Sequence, residues 1–289
     1  MPTEFFQALI QHEFLQRALF AGLLASVACG VIGSYVVVKR IGYLAGGIAH
    51  AVLGGMGAAL LWGFDPMGGA LVAAVISALL IGLITQFWRT QEDILIGAVW
   101  AVGMSLGILL MTRVPGYSVD LMGYLFGNIL VISDRELAVM IALNGTLLGI
   151  VALLYRQLLA VVFDEEFARL RGIAVTAVYL LLLCMVAVTV VMLIQVVGLI
   201  LVIALLSLPA AIAGQFFQTL GRMMLVASLL GAAFTSTGLA LAYAPDLPVG
   251  PTIVLVAGVV YVVTMVTQRA IQAWRRRRAR SHRLAVTPR

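Results

Sequence analysis

The sequence predicts an all-α integral membrane protein of about nine transmembrane helices plus one short re-entrant or interfacial helix. Three observations carry that expectation. The 289-residue chain is 63% hydrophobic and only 10% charged, against roughly a quarter charged in an ordinary globular domain. A soluble core of this length could not hide so much apolar surface, so the solvent is largely lipid. The apolar residues also fall into nine stretches near the ~20 residues that a spanning helix needs. Finally, the 12 acidic residues avoid the middles of those stretches, where burying one charge costs roughly 2.5–3.5 kcal/mol. No long polar segment is left to build a second domain, so residues 1–270 read as a single transmembrane domain and 271–289 as a basic tail.

In chain order, residues 1–14 alternate apolar positions (Phe5, Phe6, Leu9, Ile10) with polar ones (Glu4, Gln7, Gln11) at helical spacing. That pattern suits an interfacial helix or an extension of the first span. The candidate spans are 17–38, 45–62, 68–88, 94–112, 136–155, 177–197, 199–216, 223–243 and 250–268. Turn chemistry separates them: Pro66 in WGFDP, Pro115 and Gly116 in RVPGYS, and three prolines in APDLPVGP. One further apolar stretch, VDLMGYLFGNILVIS at 119–133, is too short to cross comfortably.

Basic residues set the orientation, because cytoplasmic loops carry the excess of Lys and Arg. Lys39 and Arg40, then Arg89, then Arg156, Arg169 and Arg171, then Arg222 and the terminal arginine block all fall on one side if 119–133 does not cross. If it crossed, the arginines of the 164–172 loop would lie outside. The expectation is therefore an outside N-terminus, an inside C-terminus, and a non-spanning 119–133 segment. Irregular backbone at membrane depth survives only under protein or against a water-filled cavity, so this segment is a candidate cavity lining. Eight of the 17 arginines come after residue 268. This tail reads as a solvated cytoplasmic segment that touches anionic lipid headgroups, and the net charge of +6 is no nucleic-acid footprint.

Enzyme motifs fail. HEFLQ at His12 begins like a zinc-protease motif but has Gln16 where the second ligand belongs. There is no G-x-x-x-x-G-K-[ST] phosphate loop, and Lys39 is the sole lysine. No pair of mid-span aspartates occurs. Cys29 and Cys184 lie in apolar segments as core thiols. The main polar residues left inside spans are His50, Asn144, Gln195 and Gln215, with Asn128 in the short segment. His50 sits in AGGIAHAVLGG, and helical spacing puts Gly46, His50, Gly54 and Gly57 close to one face. Such a face is either a close-packed helix seam with an interhelical hydrogen bond or the wall of a solute path. A lone histidine is no metal site, since zinc or manganese takes three or more ligands.

The loop VVFDEEFARLRGIAV, 161–175, has acids in the first turn of a short helix and arginines in the last, as the helix dipole favours. Phe163, Phe167 and Leu170 recur at helical spacing. This helix either lies on the membrane surface or docks into a soluble partner.

These pieces, in order, resemble the permease subunit of the zinc/manganese/iron ABC importers, the ABC-3 family, over about residues 14–269. GSYVVVKRIGYLAGGIAHAVLGG resembles the family's first cytoplasmic loop and second helix, and VDLMGYLFGNIL its "LFGD" segment. FDEEFARLRG resembles its loop "D.e.A...G", VVGLILVIALLSLPAAIA its "vG.lLv.alLi.PaataA" pair, and DLPVGPTIVL its closing "D.p.Gp.ivl". The resemblance implies a homodimer in a prokaryotic plasma membrane, with the path along the dimer axis. Two copies of a separate ATPase would dock beneath and a metal-binding solute protein outside. It implies no catalytic residue and no permanently bound cofactor, only a transported ion, zinc or manganese. Asp164, Glu165, Glu166, Phe167, Ala168 and Gly172 would contact the ATPase. His50 would belong to the metal path, with Asn128 and, at the outer rim, Asp120. The chain departs from the family where two carboxylates usually stand, at Gly46 and Asn128. Losing hard oxygen ligands suits a softer ion such as zinc over manganese. The alternatives are a siderophore/cobalamin-type permease and an ion-coupled secondary carrier, although the latter usually carries intramembrane carboxylates.

Overall fold

The computed structural model describes residues 2–87, 92–114, 127, 129–243, 245 and 247–286. Ten α-helices occupy them: α1 Pro2–Gln11, α2 Glu13–Lys39, α3 Gly42–Leu61, α4 Pro66–Phe87, α5 Glu92–Met111, α6 Asp134–Phe163, α7 Glu165–Leu170, α8 Val175–Phe216, α9 Leu220–Tyr243 and α10 Val249–Val286. A single 3₁₀ turn, Ile129–Val131, precedes α6.

Among the described residues, nine helical segments are long and apolar enough to cross a membrane. Two of the nine share α8. At 1.5 Å per residue a straight α8 would run about 63 Å, twice the ~30 Å hydrocarbon thickness. It is broken at Gly198, whose φ of 75° and ψ of 164° lie outside the helical region, leaving spans Val175–Ile194 and Val197–Phe216. A positive φ of this kind suits glycine. Helix α1 is separate from the first span, with His12 in extended backbone between them. Helix α10 continues past its apolar part, Val249–Trp274, into the basic tail as far as Val286.

Helices α2 and α8 form the centre. About two thirds of the apolar window is buried in α2 and in each α8 span, against 17% in α5 and in α10, which therefore lie at the rim. Small residues let the central helices touch. Gly22, Ser26 and Gly30 of α2 face Thr235, Gly231 and Ser228 of α9, with Ser26 Oγ and Thr235 Oγ1 3.2 Å apart. A Cβ on Gly33 would run into the Leu206 carbonyl of α8. This is the small-residue packing of membrane helices, where close backbone approach replaces hydrophobic drive.

Two ion pairs fix which ends lie together. Near the start of α2, Arg17 Nε is 3.2 Å from Asp134 at the start of α6. At the end of α2, Lys39 Nζ is 2.5 Å from Glu165, just beyond the end of α6. So α2 and α6 run the same way. Helices α3, α4 and α5 each reverse direction, which returns the chain at Met111 to the Arg17 side, where Asp134 also lies. The described flanks of the 112–133 connection thus lie on one face; most of the 119–133 segment lies outside the described residues. Gly127, near its end, lies against the break in α8, where a Cβ would meet the backbone of Val197 and Gly198.

Candidate permeation site and coupling helix

Helix α3 carries the first candidate. It starts immediately after α2, because Arg40 adopts a left-handed conformation (φ 61°) and closes α2. Val36 O accepts from Ile41 N at 3.0 Å across the turn. His50 lies eight residues into α3, about 12 Å along its axis.

The glycines of the α3 face meet different neighbours. A Cβ on Gly54 would come within 3.0 Å of Gly103 O, and one on Gly57 within 2.6 Å of Gly107 O, both on α5. Here two backbones are in contact. Gly46, one turn before His50, is different: the nearest atom to its Cβ position is the Ile203 δ-carbon of α8, at 4.0 Å. So the face that the sequence grouped together splits into a closed seam at Gly54 and Gly57 and a buried position at Gly46 where a methyl group would fit in ordinary contact.

His50 sits between these two regions. Its ring stacks on Trp100 of α5, with centroids 4.1 Å apart and planes 8° from parallel. Trp100 in turn neighbours Tyr43 at 6.3 Å. The imidazole is half-buried, and its Nδ1 is buried without a hydrogen-bond partner. Stacking engages the π face, whereas the nitrogen lone pairs point outward in the ring plane, so a stacked imidazole keeps its capacity to bind a cation. No cluster of three or more His, Cys, Asp or Glu occurs among the described residues. Asp120 and Asn128 lie outside them.

The other polar residues of the spans stand elsewhere. Asn144 is buried on α6, donating through Nδ2 to Met140 O at 3.2 Å beside Met192 Sδ of α8. Gln215 is exposed at the end of α8, and the Gln195 side chain is outside the described residues.

The second candidate is α7. Asp164 caps it by accepting from Phe167 N at 2.9 Å, and Glu165 and Glu166 occupy its first turn with Arg169 in the last. Gly172 follows with φ 75°, where a left-handed residue ends a helix. Ala168 is fully buried and anchors the helix. Phe163, Phe167 and Leu170 are exposed, Leu170 to 88%. Beside them runs a groove of ≈ 600 Å³ whose walls include Tyr155, Arg156, Phe163, Phe167 and Gln218.

Sequence reasoning missed Trp100 and the partner of Lys39. Trp100, Gly103 and Gly107 recur at helical spacing on α5, and that glycine pair matching Gly54 and Gly57 was the available signal. Lys39 read only as a marker of sidedness, and nothing in the sequence joined it to Glu165, 126 residues away.

Among the described residues, nine candidate spans around a central pair, a stacked histidine inside one of them, and a short helix with an open apolar face at one end define a polytopic membrane protein. Residues 11–268 match the ABC 3 transport family. The chain is 42% identical over 273 residues (91% of this chain, 93% of the relative) to a probable metal transport system membrane protein of Chlamydia pneumoniae. It is 36% identical to the manganese transport system membrane protein MntC of Halalkalibacterium halodurans, covering 90% of this chain and 89% of that one. Among solved structures, PsaBC from Streptococcus pneumoniae in complex with Fab contains a chain that superposes with a TM-score of 0.82 at 30% identity, covering 91% of this chain and 95% of that chain. This chain belongs to the ABC 3 transport family.

Proposed function

We propose that the chain is the membrane-spanning permease of an ATP-driven importer of divalent metal ions, manganese or zinc, and that His50 is a transient ligand on the path. The carrying observation is the Nδ1 of His50, buried without a partner in an imidazole whose ring face is stacked on Trp100. Tyr35 Oη and Asn144 Oδ1 are also buried without a partner, but an imidazole nitrogen is a far better ligand for a borderline metal than a neutral phenol or amide oxygen. A path ligand must stay unengaged between ions. One imidazole with water, or with the same residue of a second copy, holds an ion weakly, and a path must release what it binds. Asp120 and Asn128 complete the ligand set in this reading.

The proposal extends to the assembly. A homodimer suits α5, whose outward face is apolar and open at Val102, Leu106 and Leu109. A separate ATPase, two copies per dimer, docks at 164–172 on the exposed apolar side of α7, and a metal-binding solute protein delivers the ion outside. The Lys39 side is cytoplasmic and the N-terminus external, by the distribution of basic residues.

The test is metal uptake by cells carrying the intact system. His50→Ala is expected to abolish uptake with the protein still inserted, and His50→Asn is expected not to restore it, because an amide can hydrogen-bond yet is a poor ligand for a borderline metal. Uptake at the native rate by His50→Asn would return His50 to a packing role, since interhelical hydrogen bonds in membranes average only about 0.6 kcal/mol.

A further inference from the structure

The Lys39–Glu165 pair joins two parts of the molecule that the function must connect. We propose that Lys39 is the positioning residue through which motion of α7 reaches the α2–α3 hairpin and hence His50. The inference rests on the reading of 164–172 as the ATPase-docking segment.

Three contacts hold the ammonium group. Lys39 Nζ lies 2.5 Å from Glu165 Oε1, it approaches Val161 O at 3.4 Å, and it sits 5.9 Å from the centre of the Tyr179 ring on α8. The pair is sheltered, with side-chain exposures of 20% for Lys39 and 36% for Glu165, so it escapes much of the screening that makes exposed pairs nearly worthless. On the other side of Lys39 the chain is stiff. Arg40 and Ile41 hydrogen-bond back to Val37 and Val36, and α3 starts at Gly42. A displacement of Glu165 is therefore passed to the foot of α3 across one ion pair and a two-residue turn, with no flexible loop between. The rest of α7 offers little alternative grip, because Glu166, Phe167, Arg169 and Leu170 are all exposed and Ala168 is its buried residue.

A lysine that only staples the fold would affect stability and nothing else. A link affects the stoichiometry of transport. The complete importer, permease with its ATPase and solute protein, is reconstituted in liposomes, and ion uptake and ATP hydrolysis are measured together. Lys39→Met is expected to leave co-purification of the ATPase intact while uptake per ATP hydrolysed falls by about ten-fold. Lys39→Arg keeps the charge and is expected to retain most coupling. If Lys39→Met does not insert, Lys39→Gln, a shorter and neutral side chain, replaces it with the same expected loss. Native uptake per ATP in the charge-removed variant, or a coupling loss in Lys39→Arg as large as in Lys39→Met, overturns the proposal. Leu170→Asp separates this from the docking reading: it is expected to lose the ATPase on co-purification. If it keeps the ATPase, the docking reading fails, whereas loss of coupling in Lys39→Met with the ATPase still bound speaks for the link alone.

Discussion

Replacing Gly107 by alanine tests the α3–α5 seam at its tightest point. The added Cβ would lie 2.5 Å from both the carbonyl carbon and the oxygen of Leu53 and 2.8 Å from the Leu53 Cβ. The two closest obstacles are backbone atoms of α3, so no side-chain rotation relieves them. Ordinary carbon contacts sit near 3.5 Å, so α5 must move off α3 by roughly 1 Å. Overpacking of this kind costs about 1–3 kcal/mol, offset by the roughly 0.5–1 kcal/mol that alanine gains over glycine within a helix. The net loss lies between about 0 and 2.5 kcal/mol, and relative to the control the difference is the full overpacking cost. The control is Gly46→Ala, where the nearest neighbour is a flexible isoleucine terminus at 4.0 Å and only the helical gain applies. Thermal unfolding in detergent, followed by loss of monodisperse protein, should fall for Gly107→Ala and stay level or rise for Gly46→Ala. Uptake should fall with Gly107→Ala as well, because the shift carries Trp100, seven residues earlier on the same helix, away from His50. Equal stability of the two variants would refute the close approach of α3 and α5.

Other expectations are as direct. Trp100→Ala should leave the protein inserted but lower uptake severalfold by releasing the imidazole plane, while Trp100→Phe, which keeps a ring to stack on, should lose far less; equal uptake by both would remove the stack from the mechanism. Cysteines placed at Arg113 and at Asp134 should both react with an impermeant reagent from the same face of the membrane, and labelling from opposite faces would mean that the intervening segment crosses. Gly46→Asp puts a hard oxygen ligand one turn from His50, so uptake should shift toward manganese over zinc; an unchanged metal profile would place that position off the path.

How much of this was legible follows from what one-dimensional pattern can carry. Span number and order were readable because lipid imposes length and apolarity on each helix independently. The break at Gly198 was readable because spans 177–197 and 199–216 leave only a glycine between them. The short 119–133 segment was placed by charge alone and lies mostly outside the described residues; the pairs Arg17–Asp134 and Lys39–Glu165 fix the direction of α2 and α6 on either side of it. What could not be read was which helices touch. The face of Gly46, His50, Gly54 and Gly57 is uniform in sequence, and only the neighbours, α5 for the last two and α8 for the first, divide it. For the same reason Asn144 and His50 looked alike as polar intruders. Both leave one buried atom without a partner, Oδ1 in Asn144 and Nδ1 in His50; they differ in that Asn144 Nδ2 is engaged by Met140 and Met192, whereas the His50 ring is stacked on Trp100.

That division bears on what each half of α3 packs against. At Gly54 and Gly57, α3 and α5 meet backbone to backbone, a contact that is either made or broken and does not deform by degrees. Nearer the foot of α3, at Gly47, the nearest atom is instead the Ile96 γ-methyl, 2.5 Å from the Cβ position, with the Ile96 carbonyl oxygen at 3.4 Å. Residues 44–49 are all buried, so this half is packed as firmly as the other, but through a side chain. His50 stands where the two kinds of contact meet. Gly47→Ala therefore presses first on a β-branched side chain that is stiff at χ1 within a helix, whereas Gly107→Ala presses on backbone, and the first should cost less stability than the second in the same thermal assay; an equal or larger loss for Gly47→Ala would refute the distinction.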